Sequence, residues 1–367
     1  MSFSSKMGHW FAENGRSLPW RGQTDPYKIW ISEIILQQTR IEQGRDYYLR
    51  FVERFPTVDA LAAAEEEEVL KCWQGLGYYS RARNLHKAAR QIVDSMDGRF
   101  PSTHEQLLTL EGVGRYTAAA IASFAFRLPY PVIDGNVYRF ISRLYGISTP
   151  VPSTAAYNEF ETLLLRLIDR DRPDLFNHAI MDFGSAYCKP VGPDCPQCIF
   201  ADTCVAHRQG TVDLFPVRKA PAATRDRFFY YFDITYNHHG TRHIVVRQRH
   251  ADDIWKGLYD LPLLETAEGL EGEQLRREAE GFLRKLGWAT PPPLAVAHTT
   301  LHKLTHQTLH ATFLRVEPAS APAALPPDLQ AIEEAQLHIL PVPRLIDNYL
   351  TQRSKATPDS QSPQLFP

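Results

Sequence analysis

Hydrophobic and polar residues follow two different periods along this chain, and the change falls near residue 210. In the first part, apolar positions recur every three or four residues and alanine is frequent, which predicts helices. Ser102 and Glu105 have the spacing of a helix start, and helical patterns cover 103–109 and 115–126. We therefore predict a mainly helical domain over residues 1–207.

The second part predicts a mixed α/β domain over residues 227–351. Aromatic and β-branched runs at 228–236 and 241–247 flank Asn237-His238-His239-Gly240, which is typical of a hairpin. The remaining predictions concern shorter stretches. They are a linker at 208–226, a helix at about 272–286, strands within 296–316, a proline-rich loop at 318–327 and a disordered tail at 352–367.

Length and composition limit the possible classes of protein. A chain of 367 residues favours two domains, and no apolar run approaches the roughly 18 residues of a membrane span. Because the first residues contain no long apolar segment, we expect a cytoplasmic protein without membrane contact and with reduced thiols.

Charge gives a mixed indication about nucleic acids. The net charge of −2 and the pI of about 6.7 argue, taken alone, against a DNA or RNA partner. Arg81, Arg83, Lys87 and Arg90 nevertheless form a local basic cluster. This cluster either follows phosphates or is a solvated helix face.

Four of the five cysteines occur in one run with the spacing Cys-x6-Cys-x2-Cys-x5-Cys. In a chain that we expect to stay in a reducing compartment, such a run indicates a metal site rather than disulfides. Four thiolates bind either zinc or a [4Fe-4S] cluster, and the spacing alone leaves both open. The ligands are Cys188, Cys195, Cys198 and Cys204; Cys72 stands apart and is expected to be a buried thiol.

Two glycines and two carboxylates are candidates for DNA binding and catalysis. Gly112 and Gly114 lie between helical patterns, where bare N–H groups at a helix start favour a phosphate. Glu33 lies in a strongly apolar helical stretch, so burial is expected to raise its pKa and make it a general acid. Asp134 follows a short apolar segment, 20 residues after Gly114.

Taken together, the ordered motifs resemble the MutY adenine DNA glycosylases of the helix-hairpin-helix superfamily, which also contains endonuclease III. The matching segments are LPWR (18–21), SEIILQQT (32–39), QGLGYYSRARNL (74–85), LEGVGRYTAAAI (110–121), VIDGNVYR (132–139) and the cysteine run. The resemblance implies a helix-hairpin-helix domain whose loop 188–204 holds a [4Fe-4S] cluster. It also implies a Nudix-like C-terminal domain, in which the segment 254–262 resembles the family.

The resemblance further implies that a monomer removes adenine opposite 8-oxoguanine or guanine from double-stranded DNA. Glu33 would protonate adenine, Asp134 would stabilise the sugar cation, Asn136 would orient Asp134, and Tyr116 would lie against the sugar. In endonuclease III the position of Tyr116 holds a lysine that forms a Schiff base. The resemblance therefore implies a monofunctional enzyme.

Further site residues follow from the same resemblance. Trp20 and Arg21 would form the adenine pocket together with His178, which replaces the usual Gln or Glu of the family. Leu304, Thr305 and His306 would read 8-oxoguanine, or else belong to a plain strand with His298, His302 and His306 on one side. The wedge that enters the DNA would consist of Gln38, Thr39, Leu76 and Tyr78.

The sequence is compatible with two other functions and argues against a third. One is a bifunctional glycosylase and lyase like endonuclease III, and another is a non-catalytic DNA-binding iron-sulfur protein. The third is Nudix-type pyrophosphate hydrolysis, which we reject because the segment 277–287 lacks the paired carboxylates needed for divalent metal.

Overall fold

The computed structural model describes residues 1–220, 223–322 and 324–355. These residues form two compact units. Unit 1 contains residues 1–63 and 84–220, and unit 2 contains residues 64–83 and everything described after residue 222. The segment 64–83, which the sequence analysis placed in the helical domain, thus packs within unit 2.

Unit 1 is helical, as the sequence predicts. One of its helices contains Glu33, another begins directly after Asp134, and a third begins directly after the glycine pair. The helices from Met1 to residue 220 are α1 (Phe3–Asn14), α2 (Pro26–Leu36), α3 (Ile41–Arg54), α4 (Val58–Ala63), α5 (Glu66–Cys72, in unit 2), α6 (Ser80–Met96), α7 (His104–Leu107), α8 (Arg115–Phe126), α9 (Gly135–Tyr145), α10 (Thr154–Leu167), α11 (Pro173–Asp182) and α12 (Val205–Arg208).

Local sequence explains where the important helices begin. Asp25 caps α2 by accepting a hydrogen bond from the Tyr27 N–H, and Pro26 occupies the first turn, where its missing N–H does no harm. Most of α2 is apolar, and eight of its residues are buried. A helix that is apolar on all sides is stable only inside a core, so α2 carries Glu33 into the interior.

The first helix before the glycine pair differs from the prediction. It covers only His104–Leu107, and its N-cap is Thr103, which accepts from the Gln106 N–H, rather than Ser102. The helix after the pair, Arg115–Phe126, has the predicted bounds. The predicted motif therefore has one long helix and a single preceding turn.

Unit 2 is built on a mixed sheet, which confirms the predicted α/β class. The core order is β3-β2-β1-β6-β5, with β4 paired to β1 and β7 paired to β2. Strands β1 and β6 are parallel, and the other pairs are antiparallel. The elements are β1 (Arg225–His238), β2 (Thr241–Gln248), β3 (Tyr259–Asp260), β4 (Leu263–Thr266), α13 (Gly272–Lys285), β5 (Leu294–Lys303), β6 (Gln307–Val316), β7 (Leu329–Glu333) and α14 (Arg344–Lys355).

Alternation along β1 divides the sheet into two buried faces. Phe229 and Tyr231 belong to the cluster that also contains Leu345 of α14, whereas Tyr230 and Phe232 pack in the other cluster, on α13. Because successive side chains of a strand point to opposite faces, a strand with a helix on each face reads as continuously apolar. This explains the uninterrupted aromatic run.

Part of the predicted linker and part of the predicted tail are ordered elements of the two units. Within the predicted linker 208–226, Val151 and Val217 share a backbone hydrogen bond of 2.9 Å, so part of it packs in unit 1. Of the predicted tail, residues 352–355 form the end of α14, and residues 356–367 lie outside the described residues. In the described ranges no helix has both the length and the apolar character needed to cross a membrane.

Candidate active site

Glu33 is a buried carboxyl group with one direct side-chain partner. Its exposed fraction is 6%, and the Tyr116 hydroxyl at the start of α8 donates to its Oε2 over 2.7 Å. Burial raises the pKa of Glu33 to about 7; the Tyr116 hydrogen bond lowers it, the Asp134 charge raises it, and the Arg21 charge lowers it. A carboxyl group with this pKa is partly protonated at neutral pH, as a general acid requires.

Tyr116 stays protonated in this setting. Burial raises its pKa well above the usual tyrosine value, and the neighbouring carboxylates Glu33 and Asp134 act in the same direction. The phenol therefore remains a hydrogen-bond donor to Glu33 across the whole working pH range.

Asp134 is the N-cap of α9 and has three hydrogen-bond donors. Its Oδ1 accepts from the N–H groups of Asn136 (2.8 Å) and Val137 (2.7 Å), and its Oδ2 accepts from the Asn136 side-chain amide (2.8 Å). Burial raises the pKa of Asp134 above its usual value, and these hydrogen bonds offset only part of that rise. The helix N-terminus adds a partial positive charge that favours the ionised form. Asp134 therefore has more partners that stabilise a negative charge than Glu33, whose side-chain partner is the Tyr116 hydroxyl.

A chain of hydrogen bonds continues from Asp134 to the first cysteine. Asn136 accepts from the Arg139 guanidinium through its Oδ1 (2.9 Å), and Arg139 also donates to the carbonyl groups of Cys188 (2.9 Å) and Gly184. A Cβ on Gly184 would lie 2.6 Å from the Asn136 carbonyl oxygen. Glycine is therefore required for the close approach between the start of α9 and the backbone before the cysteine loop.

The four clustered cysteines line one cavity in unit 1. The cavity holds about 400 Å³ of atom-free space, and rings of Phe140, Phe183 and Phe200 contribute to its wall. Arg143 donates to Cys188 Sγ (3.5 Å), and the Phe200 N–H donates to Cys198 Sγ (3.5 Å). None of the cysteines is in a disulfide. A cationic donor, backbone N–H groups and apolar walls suit thiolates that bind an iron-sulfur group.

Burial favours the protonated thiol at three of these cysteines. Burial raises the pKa of Cys198 to about 11, and it raises the pKa of Cys195 and Cys204 in the same direction. A bound cation would be needed to deprotonate them. As the side chains are placed, no group of three or more His, Cys, Asp or Glu residues in the described part of the chain is arranged to hold a single metal ion.

The predicted adenine-pocket residues Trp20 and Arg21 have well-defined partners. Trp20 is buried and lies edge-on to Tyr48, with ring centroids 5.4 Å apart. The Arg21 guanidinium makes two hydrogen bonds, of 2.5 and 2.6 Å, to the carboxylate of Asp182, which also pairs with Arg16. Burial alone would raise the pKa of Asp182, but the hydrogen bonds from Arg21 and Arg16 outweigh it and lower the pKa below its usual value.

His178 is the departure from the family pattern, and it is neutral near neutral pH. Burial and the Arg21 charge lower its pKa to about 4. Its ring stacks on Phe124 with centroids 4.1 Å apart and an interplanar angle of 7°. We therefore do not expect the charge of His178 to shape the pH profile around neutrality.

Sequence reasoning missed two buried residues that organise this region. Asp182 has no local signal, because its partner Arg21 lies 161 residues away. Asn177, directly before His178, is the second of these residues. It accepts from the Val132 N–H (2.9 Å) and donates to the Tyr130 carbonyl (2.9 Å), so it fixes the segment that leads to Asp134.

Backbone geometry requires glycine at only one of the two positions of the glycine pair. Gly112 has a φ of +73°, and a Cβ there would lie 2.6 Å from Asn84 Cβ, so only glycine fits. Gly114 has a φ of −91°, which any residue adopts, and a Cβ there would meet nothing within 4 Å. The open space at Gly114 lies at the N-terminus of α8, where an anion is favoured.

The predicted wedge residues fall in different units. Gln38 and Thr39 follow α2 in unit 1, and Gln38 is exposed with a left-handed φ of +58°. Leu76 and Tyr78 belong to unit 2, where Leu76 is buried and Tyr78 is 43% exposed. Tyr78 also has a left-handed φ, of +49°. Left-handed non-glycine residues cost free energy and occur preferentially at functional sites.

In unit 2, two of the four predicted wedge residues and the three predicted recognition residues line one cavity. It holds about 1250 Å³ of atom-free space, part of which is open to solvent. The Tyr78 hydroxyl and the Thr305 hydroxyl are hydrogen-bonded at 2.7 Å, and both side chains are exposed. The residues from both predicted sets that line this cavity are Leu76, Tyr78, Leu304, Thr305 and His306.

The alternative of a plain histidine row is wrong for His306. Residues 304–306 form the turn between β5 and β6, with a 2.8 Å hydrogen bond from the Leu304 N–H to the Gln307 carbonyl. His298 and His302 lie on β5 and are partly buried against aromatic rings rather than exposed.

Two minor predictions are also revised. Arg81 and Arg83 are half-buried and donate to backbone carbonyl groups of unit 2, which leaves Lys87 and Arg90 as the exposed members of the basic cluster. Cys72 is partly exposed rather than buried.

Comparison with known proteins gives two family matches and a relative that is similar over most of the chain. Residues 31–166 match the family described as HhH-GPD superfamily base excision DNA repair protein, and residues 234–352 match the NUDIX domain. An adenine DNA glycosylase of Buchnera aphidicola subsp. Schizaphis graminum is 32% identical over 309 residues, which are 84% of this chain and 85% of that protein. The adenine DNA glycosylase of Homo sapiens is 39% identical over 57% of this chain and 40% of its own length.

Two solved structures resemble about half of the chain. A thermostable thymine-DNA glycosylase is 28% identical with a TM-score of 0.53, covering 56% of this chain and 95% of its own. A trapped covalent intermediate of endonuclease III with DNA is 25% identical with a TM-score of 0.50, covering 56% of this chain and 94% of its own.

Proposed function

This chain belongs to the family of adenine DNA glycosylases, and on that premise we propose that it removes adenine from double-stranded DNA by hydrolysing the bond between the base and deoxyribose. The observation that carries the proposal is the buried Glu33, whose pKa is raised to about 7 beside an Asp134 held by three donors. Base excision needs one group that gives a proton and another that keeps its negative charge.

Glu33 is the proton donor in this proposal. Adenine is a poor leaving group as an anion, so a proton delivered to its ring lets it leave neutral. The Tyr116 hydroxyl occupies Oε2 of Glu33 and leaves Oε1 for the proton transfer. After the base has left, the ionised Glu33 is positioned to take a proton from the attacking water.

Asp134 stabilises the positive charge that develops on the sugar. Its two backbone donors and the Asn136 amide hold the carboxylate in place before the reaction, so little reorganisation is needed when the charge appears. Arg139 in turn holds Asn136. Positioned charges of this kind contribute a large part of the rate enhancement in many enzymes.

The reaction stops at the abasic site. A lyase step requires an amine that forms a Schiff base with the opened sugar, and the side chain that bonds Glu33 is the phenol of Tyr116. We therefore propose a monofunctional enzyme that leaves the strand intact.

The base opposite adenine is 8-oxoguanine, with guanine as the weaker alternative. The support is the unit 2 cavity, where hydroxyl groups of Tyr78 and Thr305 lie within hydrogen-bonding distance of each other and face solvent. Hydroxyl groups both donate and accept, so they can read the N7–H and O8 that distinguish the lesion from guanine. His306 and Leu304 would complete this reading.

DNA is held on its backbone by the turn at Gly112 and Gly114. The N-terminus of α8 offers N–H groups to a phosphate, and the space at Gly114 permits close approach. Gln38 and Tyr78 would enter the duplex once adenine has left the stack, and Trp20, Arg21 and His178 would receive the base.

The four clustered cysteines hold a [4Fe-4S] cluster. Cys188, Cys195, Cys198 and Cys204 would each bind one iron, and Arg143 would donate to a cluster-bound sulfur. The cluster would cross-link the loop 188–204 and, through the Arg139 contact with the Cys188 carbonyl, support the start of α9. It takes no part in the chemistry at Glu33 and Asp134.

The glycosylase proposal is tested by single-turnover incubation with duplex DNA carrying adenine opposite 8-oxoguanine, analysed with and without alkali. We expect strand breakage only after alkali treatment. Breakage without alkali would instead indicate a bifunctional lyase. The absence of any abasic site would indicate a non-catalytic DNA-binding protein.

The cluster proposal has an independent test in the purified chain. We expect broad visible absorbance near about 400 nm, as for thiolate-bound iron clusters, together with four iron atoms and no zinc per chain. Cys198→Ser should lose that absorbance, whereas Cys72→Ser is the matched control and should keep it. A colourless protein that contains zinc would contradict the proposal.

A further inference from the structure

Trp255 lines the same unit 2 cavity as the turn 304–306, although no recognition role was predicted for it. Its indole ring lies 5.9 Å from the ring of His302 in an edge-on arrangement, and His302 is two residues before the turn begins. Trp255 and Leu304 both pack against the same hydrophobic cluster of unit 2. The indole therefore supports the side of β5 that leads into the turn.

The backbone of Trp255 is strained. Its φ of +62° is in the left-handed region, which bulky side chains rarely adopt. Such a conformation costs free energy and persists only where the surrounding structure enforces it. Tyr78, on another segment that lines the cavity, is also left-handed. Strained residues of this kind cluster at functional sites, so two of them at one cavity indicate that the cavity has a function.

Partly buried ionic contacts hold the two residues before Trp255 and connect them to the end of the turn. Arg249 donates to the Ile254 carbonyl (2.9 Å) and to Asp253 Oδ2 (3.0 Å). The Arg227 guanidinium donates two hydrogen bonds, of 2.9 and 2.8 Å, to the same Asp253 carboxylate. Arg227 also donates to Gln307 Oε1 (3.1 Å), the residue directly after the turn. Arg227 thus connects the loop before Trp255 to the residue that follows the turn.

We infer that Trp255 is a positioning residue that fixes the turn 304–306, and that it thereby sets how well the chain distinguishes 8-oxoguanine from guanine opposite adenine. The inference rests on the proposed function. A hydroxyl group reads a lesion only if it is held within a fraction of an ångström, and that precision comes from the residues behind it. Removing the indole would loosen Thr305 relative to Tyr78 without touching Glu33 or Asp134.

The test compares single-turnover adenine release from duplexes with 8-oxoguanine or guanine opposite adenine. Trp255→Leu should lower the ratio of the two rates by about tenfold, as expected for the loss of one hydrogen bond to the lesion. The rate with guanine should change by less than about twofold, within the non-additivity of unrelated sites. Trp255→Phe, which keeps an aromatic ring, should recover part of the ratio.

Two further variants separate positioning from general stability. Trp288→Leu removes a buried indole from the other face of the sheet and should leave the ratio unchanged. In the double variant with Thr305→Ala, Trp255→Leu should cause no further loss beyond Thr305→Ala alone, because both act through the same contact.

The role of Trp255 and the proposed function would be contradicted by different results. An unchanged ratio in Trp255→Leu, or an equal loss on both duplexes as in a merely destabilised protein, would overturn the role of Trp255. An unmodified chain that releases no adenine from either duplex would overturn the proposed function itself, and this inference with it.

Discussion

Glu33→Gln is expected to abolish adenine release while making the protein more stable at alkaline pH. The carboxyl group is 6% exposed, and burial raises its pKa from the usual 4.5 to about 7. Below pH 4.5 the group is protonated in both the folded and the unfolded chain. Between pH 4.5 and 7 the unfolded chain releases the proton and the folded chain keeps it, so the free energy of unfolding falls as pH rises.

The magnitude follows from the size of the pKa shift. A rise from 4.5 to about 7 is about 2.5 units, and each unit corresponds to about 1.36 kcal/mol. Above pH 7 this shift lowers the free energy of unfolding of the wild type by about 3 kcal/mol. Glutamine does not titrate, so the free energy of unfolding of the variant does not fall in this way. Any fixed cost of burying the amide is the same at every pH and leaves the difference between two pH values unchanged.

The assay is urea unfolding of the full chain, followed by helical circular dichroism, at about pH 5 and about pH 8. Between these values the stability of Glu33→Gln relative to wild type should increase by about 2–3 kcal/mol. Glu42→Gln, an exposed carboxyl group on α3, is the matched control and should show no such increase. A stability difference that is independent of pH, or that shrinks as pH rises, would refute the argument.

Four further predictions concern unit 1. Tyr116→Phe removes a hydrogen bond that lowers the pKa of Glu33, so the alkaline limb of the single-turnover pH profile should move up by about one unit. Arg139→Gln leaves the Cys188 and Gly184 carbonyl groups without their donor, and denaturant unfolding should show a loss of about 2–3 kcal/mol. Gly112→Ala is strained and clashes with Asn84, so it should lose about 1–3 kcal/mol of stability. Gly114→Ala should leave stability unchanged and weaken DNA binding in a fluorescence anisotropy titration, because a methyl group there fills the space for a phosphate.

The candidate carboxylates could be found from sequence because each has a strong local signature. Glu33 interrupts an apolar helix, and Asp134 stands directly before Gly135 at a helix start. The apolar pattern also predicted the helical and mixed sheet units, since burial on one face or two leaves a periodic record. The pKa shift of Glu33 followed from the same burial.

What the sequence did not reveal depends on contacts between distant segments. Asp182 and Arg21 are 161 residues apart, and nothing near either residue indicates an ion pair. The contact between Arg139 and Asn136 is an exception, because the two residues are three apart on the same face of α9 and helical periodicity indicates that they can meet. The short strand Tyr259–Asp260 has too few residues to show a period.

The unit 2 cavity was the least predictable feature. Most of its residues come from 75–80, 253–255 and 302–307, and the first of these segments was assigned to the other domain. The left-handed φ of Trp255 follows from tertiary contacts and has no sequence signal, because a bulky aromatic residue normally avoids that region.

We propose that Glu33 and Asp134 act together to release adenine, and a comparison of three proteins tests this. Single-turnover adenine release from a duplex with adenine opposite 8-oxoguanine is compared for wild type, Glu33→Gln and Asp134→Asn, with duplex binding measured in parallel. We expect release by the wild type with the strand left intact, and binding without release by both variants. Release by either variant at close to the wild-type rate, or no release by the wild type, would contradict it.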